Sequence, residues 1–322
     1  MSLRSLSLAF VMDPIESVSI NEDTTFALML EAQQRGHEIL YVDPADLSVS
    51  EGRTSAIATP VTLRREQGNH VSKAASRSLI LDESVHVAFQ RVDPPVDAAY
   101  ITATQLLGIC ERTLVLNRPS SILAFNEKLF ALHFWDLMPE TVVTRQASEL
   151  RAFMAKVGGD MIVKPLDGKG GEGIFRLNAD DPNLSSILEQ STDFGARPCM
   201  AQRYLPEIRQ GDKRIILLEG EPLGAVLRVP ADSEVRANLH VGGRAAKAEI
   251  TASDQRIIDR IAPTLREAGL FFVGIDVIGD RLTEINVTSP TGVQEINALD
   301  QTNLEARVIE RVEERVQSLR AS

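Results

Sequence analysis

The sequence predicts an α/β protein in which a parallel sheet with crossover helices is followed by a mainly antiparallel sheet flanked by helices. Three observations support this fold class. The chain opens with a strand-helix-strand pattern, residues 100–117 repeat the order of helix and then strand, and several short apolar runs follow Gly173. With 322 residues, of which 43 % are hydrophobic, the chain is long enough for two or three layered units.

The first predicted unit covers residues 1–122. Residues 6–12 are apolar but too few to cross a bilayer, so we interpret them as a buried first strand. Helical spacing predicts a helix over 24–35, and a second strand follows at 38–42. The polar segment 47–78 has no clean period, which predicts a surface hairpin or a mobile loop.

Two further units are predicted, a small lid unit over 123–205 and a C-terminal unit over 206–322. Their predicted helices cover 126–135, 149–157, 253–268 and 303–319, and Ser253 is predicted to cap the third of them. Their predicted strands cover 140–144, 161–164, 174–177, 199–205, 214–219, 223–229, 271–278 and 282–287.

Charge and cysteine content exclude several classes of protein. The net charge of −11 argues against nucleic acid or an anionic membrane as the main partner, because both attract basic surfaces. The two cysteines, Cys110 and Cys199, form no C-x-x-C motif, and we interpret them as reduced thiols of a cytoplasmic protein.

The first candidate site is glycine-rich. A predicted strand ends at Lys164, and four glycines follow within the six residues 168–173. Glycines at this density let backbone N–H groups approach a polyphosphate, and the lysine adds positive charge. The spacing is not that of a Walker A loop, and no G-x-G-x-x-G opens a helix after the first strand. A flexible hairpin tip is the alternative interpretation.

The second candidate site places polar side chains in otherwise apolar strands. Glu284 and Asn286 lie two residues apart on one predicted strand, so they share a face. A two-residue turn would set Asp276 opposite Thr283, whereas a three-residue turn over 279–281 would set it opposite Glu284. We predict the three-residue turn, which brings three hard oxygen donors together as a magnesium site. The alternative is a polar outer face of a sheet.

The third feature is a concentration of arginines within strands and loops before this hairpin. The four residues are Arg214, Arg228, Arg236 and Arg244. The guanidinium fork suits carboxylates and phosphates, and the nearby Asn238 and glycines 242–243 favour a loop that contacts ligand. A solvated surface is the alternative for each arginine.

Seven stretches of the chain resemble bacterial glutathione synthetase, an ATP-grasp family, and the similarity runs nearly from end to end. They are VMDP at 11–14, NEKLF at 126–130, KPLDGKGG at 164–171, MAQRYLP at 200–206, GDKR at 211–214, GGR at 242–244 and FVGIDVIGDRLTEINVTSPTG at 272–292. The resemblance implies an ATP-grasp architecture and an ATP-dependent carbon-nitrogen ligase.

The resemblance also implies roles for individual residues. Those expected to bind ATP are Lys128, Lys164, Gly168, Lys169, Gly170, Gly171, Gly173, Gln202, Tyr204, Leu205 and Asp212. Those expected to bind the peptide substrate are Asp13, Arg91, Arg214, Arg228, Arg236, Asn238 and Ser289. Asp276, Glu284 and Asn286 are expected to hold two magnesium ions, with manganese as a substitute. Lys164, Arg214 and Arg228 are the expected catalytic residues.

The implied reaction joins γ-glutamylcysteine to glycine through an acyl phosphate and releases glutathione, ADP and phosphate. The implied assembly is a homo-oligomer, a tetramer or a dimer. Lys169, Glu172, His240 and residues 292–294 differ from the family pattern. Two alternatives therefore stay open: an ATP-grasp ligase with another acyl donor or amine, and a nucleotide-binding protein of the same fold without turnover.

Overall fold

A computed structural model describes residues 5–168, 170–231, 234, 236, 237 and 242–321. Its first sheet has eight strands in the order β3-β4-β2-β1-β7-β8, with β5 and β6 paired to β4. The strands are β1 (Ser7–Val11), β2 (Glu38–Val42), β3 (Leu47–Ser50), β4 (Arg53–Leu63), β5 (Val71–Lys73), β6 (Arg77–Ile80), β7 (Val87–Gln90) and β8 (Leu114–Leu116). The helices of this part are α1 (Thr24–Gln34), α2 (Leu81–Ser84) and α3 (Ala98–Leu107).

The predicted opening is confirmed. β1 pairs in parallel with both β2 and β7, and β7 pairs in parallel with β8. The Asp23 side chain accepts from the Phe26 N–H and caps α1, while Gly36 with a φ of 85° follows its end. The segment predicted as a hairpin or a mobile loop forms hairpins, because β4 pairs with β2, β3, β5 and β6.

The second sheet has four antiparallel strands in the order β11-β10-β12-β9. They are β9 (Thr141–Thr144), β10 (Asp160–Pro165), β11 (Phe175–Asn178) and β12 (Cys199–Arg203), and their helices are α6 (Ala147–Lys156) and α7 (Leu184–Ser191). The connection from the first sheet contains α4 (Pro119–Ala124), α5 (Glu127–Ala131) and a 3₁₀ segment (Leu132–Leu137). The helix predicted over 126–135 is therefore shorter: the α-helix ends at Ala131, and the 3₁₀ segment after it is kinked at Phe134, whose dihedral angles are −122° and 40°.

The third sheet has five antiparallel strands in the order β15-β14-β13-β16-β17. They are β13 (Asp212–Leu218), β14 (Glu221–Val229), β15 (Arg244–Lys247), β16 (Phe272–Ile278) and β17 (Arg281–Asn286), and the helices are α8 (Ala252–Glu267), α9 (Val293–Asp300) and α10 (Leu304–Ala321). The predicted cap at Ser253 is wrong. Thr251 caps α8, because its side chain and that of Asp254 exchange hydrogen bonds with each other's backbone N–H.

The two faces of the third sheet have different environments. Ile215, Ile275 and Val277 pack on one face against α8, in the same core as Phe130 of α5. Alternation along the strands then directs Arg214 and Asp276 to the opposite face. A second core joins the first sheet and α1 to α9 and α10, so the last helix packs beside the first. No helix in the described part of the chain has the length and apolar character needed to cross a membrane.

The hairpin of β16 and β17 corrects one prediction and confirms another. Ile278 pairs with Arg281, so the turn has two residues and the predicted three-residue turn is wrong. Val277 pairs with Leu282, but Asp276 pairs with Glu284, as predicted. The register changes because Thr283 is the extra residue of a β-bulge, and its hydroxyl donates to the Asp276 carbonyl over 3.1 Å.

Candidate active site

A cleft of about 960 Å³ lies where residues of the three sheets and their connections meet. Most of the predicted site residues line it. They are Asp13, Arg91, Lys128, Lys164, Gly168, Gly170, Gly171, Gln202, Tyr204, Leu205, Asp212, Arg214, Arg228, Arg236, Asp276, Glu284, Asn286 and Ser289. Gly173 does not line the cleft and packs against Pro165 instead. Lys169 and Asn238 lie outside the described residues.

Two arginines and two carboxylates form a buried network on the site face of the third sheet. Arg214 donates to both carboxylate oxygens of Asp276, from Nε to Oδ1 and from Nη2 to Oδ2 over 2.9 Å. Arg228 Nη2 lies 3.0 Å from Asp276 Oδ2 and also donates to Asp212 Oδ2. Burial favours the neutral form of Asp276, but the two guanidinium groups outweigh it and hold the pKa of this carboxyl well below its usual range.

Asp212 is the weaker acid of the two carboxyl groups in this network. Burial raises its pKa to about 6; Arg228 opposes this shift and the charge of Asp276 adds to it. Its Oδ1 and the Nε of Arg228 are buried without a hydrogen-bond partner among the described residues. Unsatisfied buried polar atoms are rare in proteins, so both atoms are available to a ligand in the cleft.

Two lysines face this network from the other side of the cleft. Lys128 Nζ lies 3.1 Å from Glu284 Oε1 and donates to the Gly168 carbonyl over 2.8 Å. Lys164 Nζ donates to the Thr283 carbonyl over 3.3 Å. Burial lowers the pKa of Lys164, a shift that Glu284 opposes and Lys128 reinforces. This side of the cleft is therefore suited to an anion.

The predicted metal ligands share one face of the hairpin. Asp276 pairs directly with Glu284, and Asn286 pairs with Gly274 two residues along. Glu284 is the more accessible carboxylate, since its side chain is 20 % exposed and that of Asp276 is 5 % exposed. In the described part of the chain, no three histidine, cysteine, aspartate or glutamate side chains come together as a metal-binding group. Glu284 and the Asn286 amide oxygen fit magnesium, which takes its remaining ligands from water and phosphate. Both oxygens of Asp276 already accept from Arg214 and Arg228, so this carboxylate would have to share its oxygens with a metal.

One end of the cleft is apolar. Tyr204 and Ile208 pack with Ala237 and with the partly buried Ile162, and all four line the cleft. The Arg176 guanidinium lies 3.7 Å from the centroid of the Tyr204 ring. A flat apolar slot of this kind suits an aromatic base.

The N-terminal part of the chain closes the opposite end. Arg91 donates from Nε to Thr25 Oγ1 over 2.9 Å and from Nη2 to the Pro290 carbonyl over 3.0 Å. Ser289 donates to the Arg91 carbonyl over 3.3 Å. The Asp13 carboxylate accepts from the Asp93 N–H over 2.9 Å. The contacts of Arg91 with Ser289 and Pro290 join the end of β7 to the chain that follows β17.

Arg236 connects two loops above the cleft. Its Nη1 donates to the Gly171 carbonyl over 3.2 Å, and its Nη2 lies 2.6 Å from Glu234 Oε2. The guanidinium therefore reaches the glycine-rich loop from the segment that follows β14.

Sequence reasoning missed Glu127 and Thr288, which also line the cleft. Glu127 Oε1 accepts from the N–H groups of Val287 and Thr288 and from the Thr288 hydroxyl, over 2.8, 3.0 and 2.8 Å. The only available signal was the position of Glu127 directly before Lys128. Nothing in a single sequence shows which distant backbone a helix-terminal glutamate will contact.

Replacing Arg228 by alanine is expected to lower the free energy of unfolding by about 3–5 kcal/mol, because it leaves two buried carboxylates without their shared cation. Urea unfolding of the purified variant measures this. Arg281→Ala is the matched control, since Arg281 is half-exposed and pairs with Asp280 over 3.3 Å, and its cost should be under about 1 kcal/mol. Equal small losses in both variants would contradict a stabilising network.

Comparison with known proteins identifies the family of this chain. A family model for the prokaryotic glutathione synthetase ATP-grasp domain matches residues 127–301, and one for the N-terminal domain matches residues 6–122. Glutathione synthetase of Mesorhizobium japonicum is 49 % identical over 90 % of this chain and 93 % of its own length. The Escherichia coli K12 protein of the same name is 44 % identical over 97 % and 99 %.

Solved structures show the same fold. D-cycloserine synthetase DcsG has a TM-score of 0.68 at 15 % identity and covers 96 % of this chain and 99 % of its own. The ATP-grasp ligase PsnB, solved with magnesium and ADP, has a TM-score of 0.62 at 17 % identity and covers 98 % and 99 %. ATP-grasp ligases use ATP and divalent metals. The predicted architecture and enzyme class are confirmed, and the chain belongs to the prokaryotic glutathione synthetase family of ATP-dependent ligases.

Proposed function

We propose that this protein joins γ-glutamylcysteine to glycine at the expense of ATP, giving glutathione, ADP and phosphate. The observation that carries the proposal is family membership over nearly the whole chain. Relatives named glutathione synthetase are 44–49 % identical to it. The cleft supports it, because cationic side chains on two of its sides can hold a triphosphate and a carboxylate substrate together. We further propose a cytoplasmic homo-oligomer, a tetramer or a dimer.

Phosphoryl transfer in this cleft needs charge neutralisation more than a protein nucleophile. We propose that Lys128 and Lys164 hold the ATP phosphates, with the backbone of Gly168, Gly170 and Gly171 beside them. Lys164 is only 7 % exposed, so its charge acts in surroundings that contain little water. The base would lie in the apolar slot at Tyr204.

Arg214 and Arg228 are proposed to face the peptide carboxylate and the phosphoryl group that it receives. The Nε–H of Arg228, which has no hydrogen-bond partner among the described residues, can donate to an oxygen of either group. Arg91, Asp13 and Ser289 would hold the far end of the peptide. The glycine amine then attacks the acyl phosphate, forming the amide bond as phosphate leaves.

Asp276, Glu284 and Asn286 are proposed to bind two magnesium ions, for which manganese can substitute. These ions would neutralise the charge of the polyphosphate. Positioning of the reactants supplies much of the remaining catalysis. The loop 168–173, whose Gly171 carbonyl already accepts from Arg236 over 3.2 Å, would cover the phosphates and keep water from the acyl phosphate.

A coupled assay tests the proposed reaction. ADP release by the purified protein with ATP and magnesium should require both γ-glutamylcysteine and glycine, and leaving out either should lower the rate by about 100-fold or more. Mass spectrometry should detect glutathione. Turnover with a different amine or acyl donor, but not with this pair, would identify another ATP-grasp ligase. ATP binding without turnover on any pair would indicate a nucleotide-binding protein.

A further inference from the structure

Three consecutive side chains at the start of α5 connect the two halves of the cleft. Asn126 Nδ2 donates to the Leu166 carbonyl over 3.0 Å, just after β10. Lys128 contacts both the Gly168 carbonyl and Glu284. Glu127, between them, contacts the chain that follows β17. One short helix therefore sets the distance between the glycine-rich loop and the strand that carries Glu284 and Asn286.

Glu127 makes the most specific of these connections. A single oxygen, Oε1, accepts two backbone N–H groups and one hydroxyl from two successive residues, Val287 and Thr288. Three donors converging on one acceptor fix both the direction and the rotation of this chain segment. Asn286 immediately precedes the segment, and Ser289 immediately follows it.

The environment of Glu127 is unusual for a carboxylate. Burial raises its pKa, and the nearby charge of Glu284 adds to this, while its hydrogen bonds with Thr288 and Val287 oppose it. Within the described residues no lysine, arginine or histidine nitrogen lies within 4.0 Å of it. A buried carboxylate without a cation is costly, so its hydrogen bonds to the backbone are its main compensation.

We propose that Glu127 is a positioning residue for the reaction. By fixing the chain at Val287 and Thr288, it orients the Asn286 amide on one side and Ser289 on the other toward the cleft. This inference rests on the proposed function, because it assigns Glu127 to the magnesium side of that same site. Its role requires an acceptor oxygen at this position and does not require the negative charge.

Glu127→Ala and Glu127→Gln separate the two properties, because glutamine keeps an acceptor oxygen and loses the charge. Glu127→Ala is expected to lower kcat by about 50-fold and to raise the half-saturating magnesium concentration by about 10-fold, since small misplacements of a site are amplified in rate. Glu127→Gln should stay within about 5-fold of wild type in both quantities. Calorimetry of ADP binding measures the magnesium requirement without turnover. The magnesium concentration needed for half-maximal ADP binding should rank the variants in the same order.

Glu149→Ala is the matched control. Glu149 lies in the first turn of α6 and accepts from the Thr144 hydroxyl, but it does not line the cleft. Its replacement should leave kcat and the magnesium requirement unchanged. If Glu127→Ala loses only melting temperature, as a merely structural residue would, the positioning role is refuted. Equal defects in Glu127→Gln and Glu127→Ala would refute it too, because they would assign the role to the charge.

If Glu127→Ala fails to fold, a milder variant still tests the proposal. Thr288→Val removes only the hydroxyl bond to Glu127 and should raise the magnesium requirement in the same direction by about 3-fold. An unchanged magnesium requirement in this variant would overturn the proposal. Failure of the proposed function is distinguished separately, since wild-type protein would then form no glutathione while magnesium-dependent ADP binding could still be compared among variants.

Discussion

Replacing Glu284 by glutamine is expected to lower turnover on the order of 10³-fold, about 4 kcal/mol of transition-state stabilisation, while the fold stays intact. The change removes a negative charge from the proposed magnesium site and the partner of Lys128, which lies 3.1 Å away. Glutamine has nearly the same volume, and the Glu284 side chain is 20 % exposed, so packing changes little.

The measurement is kcat over a range of magnesium concentrations, with circular dichroism as the check on folding. Asp280→Asn is the matched control, because Asp280 is an exposed carboxylate in the turn of the same hairpin. Its turnover should remain within about twofold of wild type. Near-normal turnover of Glu284→Gln at saturating magnesium would remove Glu284 from the metal site.

The hairpin that carries Glu284 shows how far periodicity alone can predict a site. Alternation of apolar residues correctly placed Glu284 and Asn286 on one face, because a packed strand has only two faces. The pairing of Asp276 with Glu284 was also predicted, but from the wrong turn. Leu282 was the available signal: with Ile285 it breaks the period of two, and a bulge at Thr283 lets both side chains reach the core.

Local sequence patterns do not predict contacts between distant segments of the chain. The density of glycines marks the loop 168–173 and the resemblance marks Lys128, yet no spacing indicates that Glu127 contacts the backbone after β17. The arginines present a related case. The resemblance predicts that Arg228 binds a substrate carboxylate, and in the structure it pairs with Asp212 and Asp276 of the protein itself. Internal pairing of this kind depends on the register between three strands, which a single sequence does not fix.

Replacing Lys164 is the second change with a large expected effect. We expect it to lower the affinity for ATP without lowering the stability of the protein. Its side chain is buried, and among the described residues no carboxylate oxygen lies within 4.0 Å of its Nζ. Its one hydrogen bond within the described part of the chain is to the carbonyl of Thr283, the bulged residue whose backbone is outside the regular ladder. An ammonium group held in this way destabilises the free protein and is strongly attracted to an entering phosphate.

Lys164→Met is therefore expected to leave the free energy of unfolding unchanged or to raise it by about 1 kcal/mol, since an apolar chain of similar length removes the buried charge. ATP affinity should fall about 30- to 150-fold, because one charge-assisted contact worth roughly 2–3 kcal/mol is lost. Calorimetry with ATP and urea unfolding of the same preparation measure both quantities. Lys156→Met, at the exposed end of α6, should change neither. Wild-type ATP affinity in Lys164→Met would place this lysine outside the nucleotide site, and a large loss of stability would show that the bond to Thr283 holds the two sheets together.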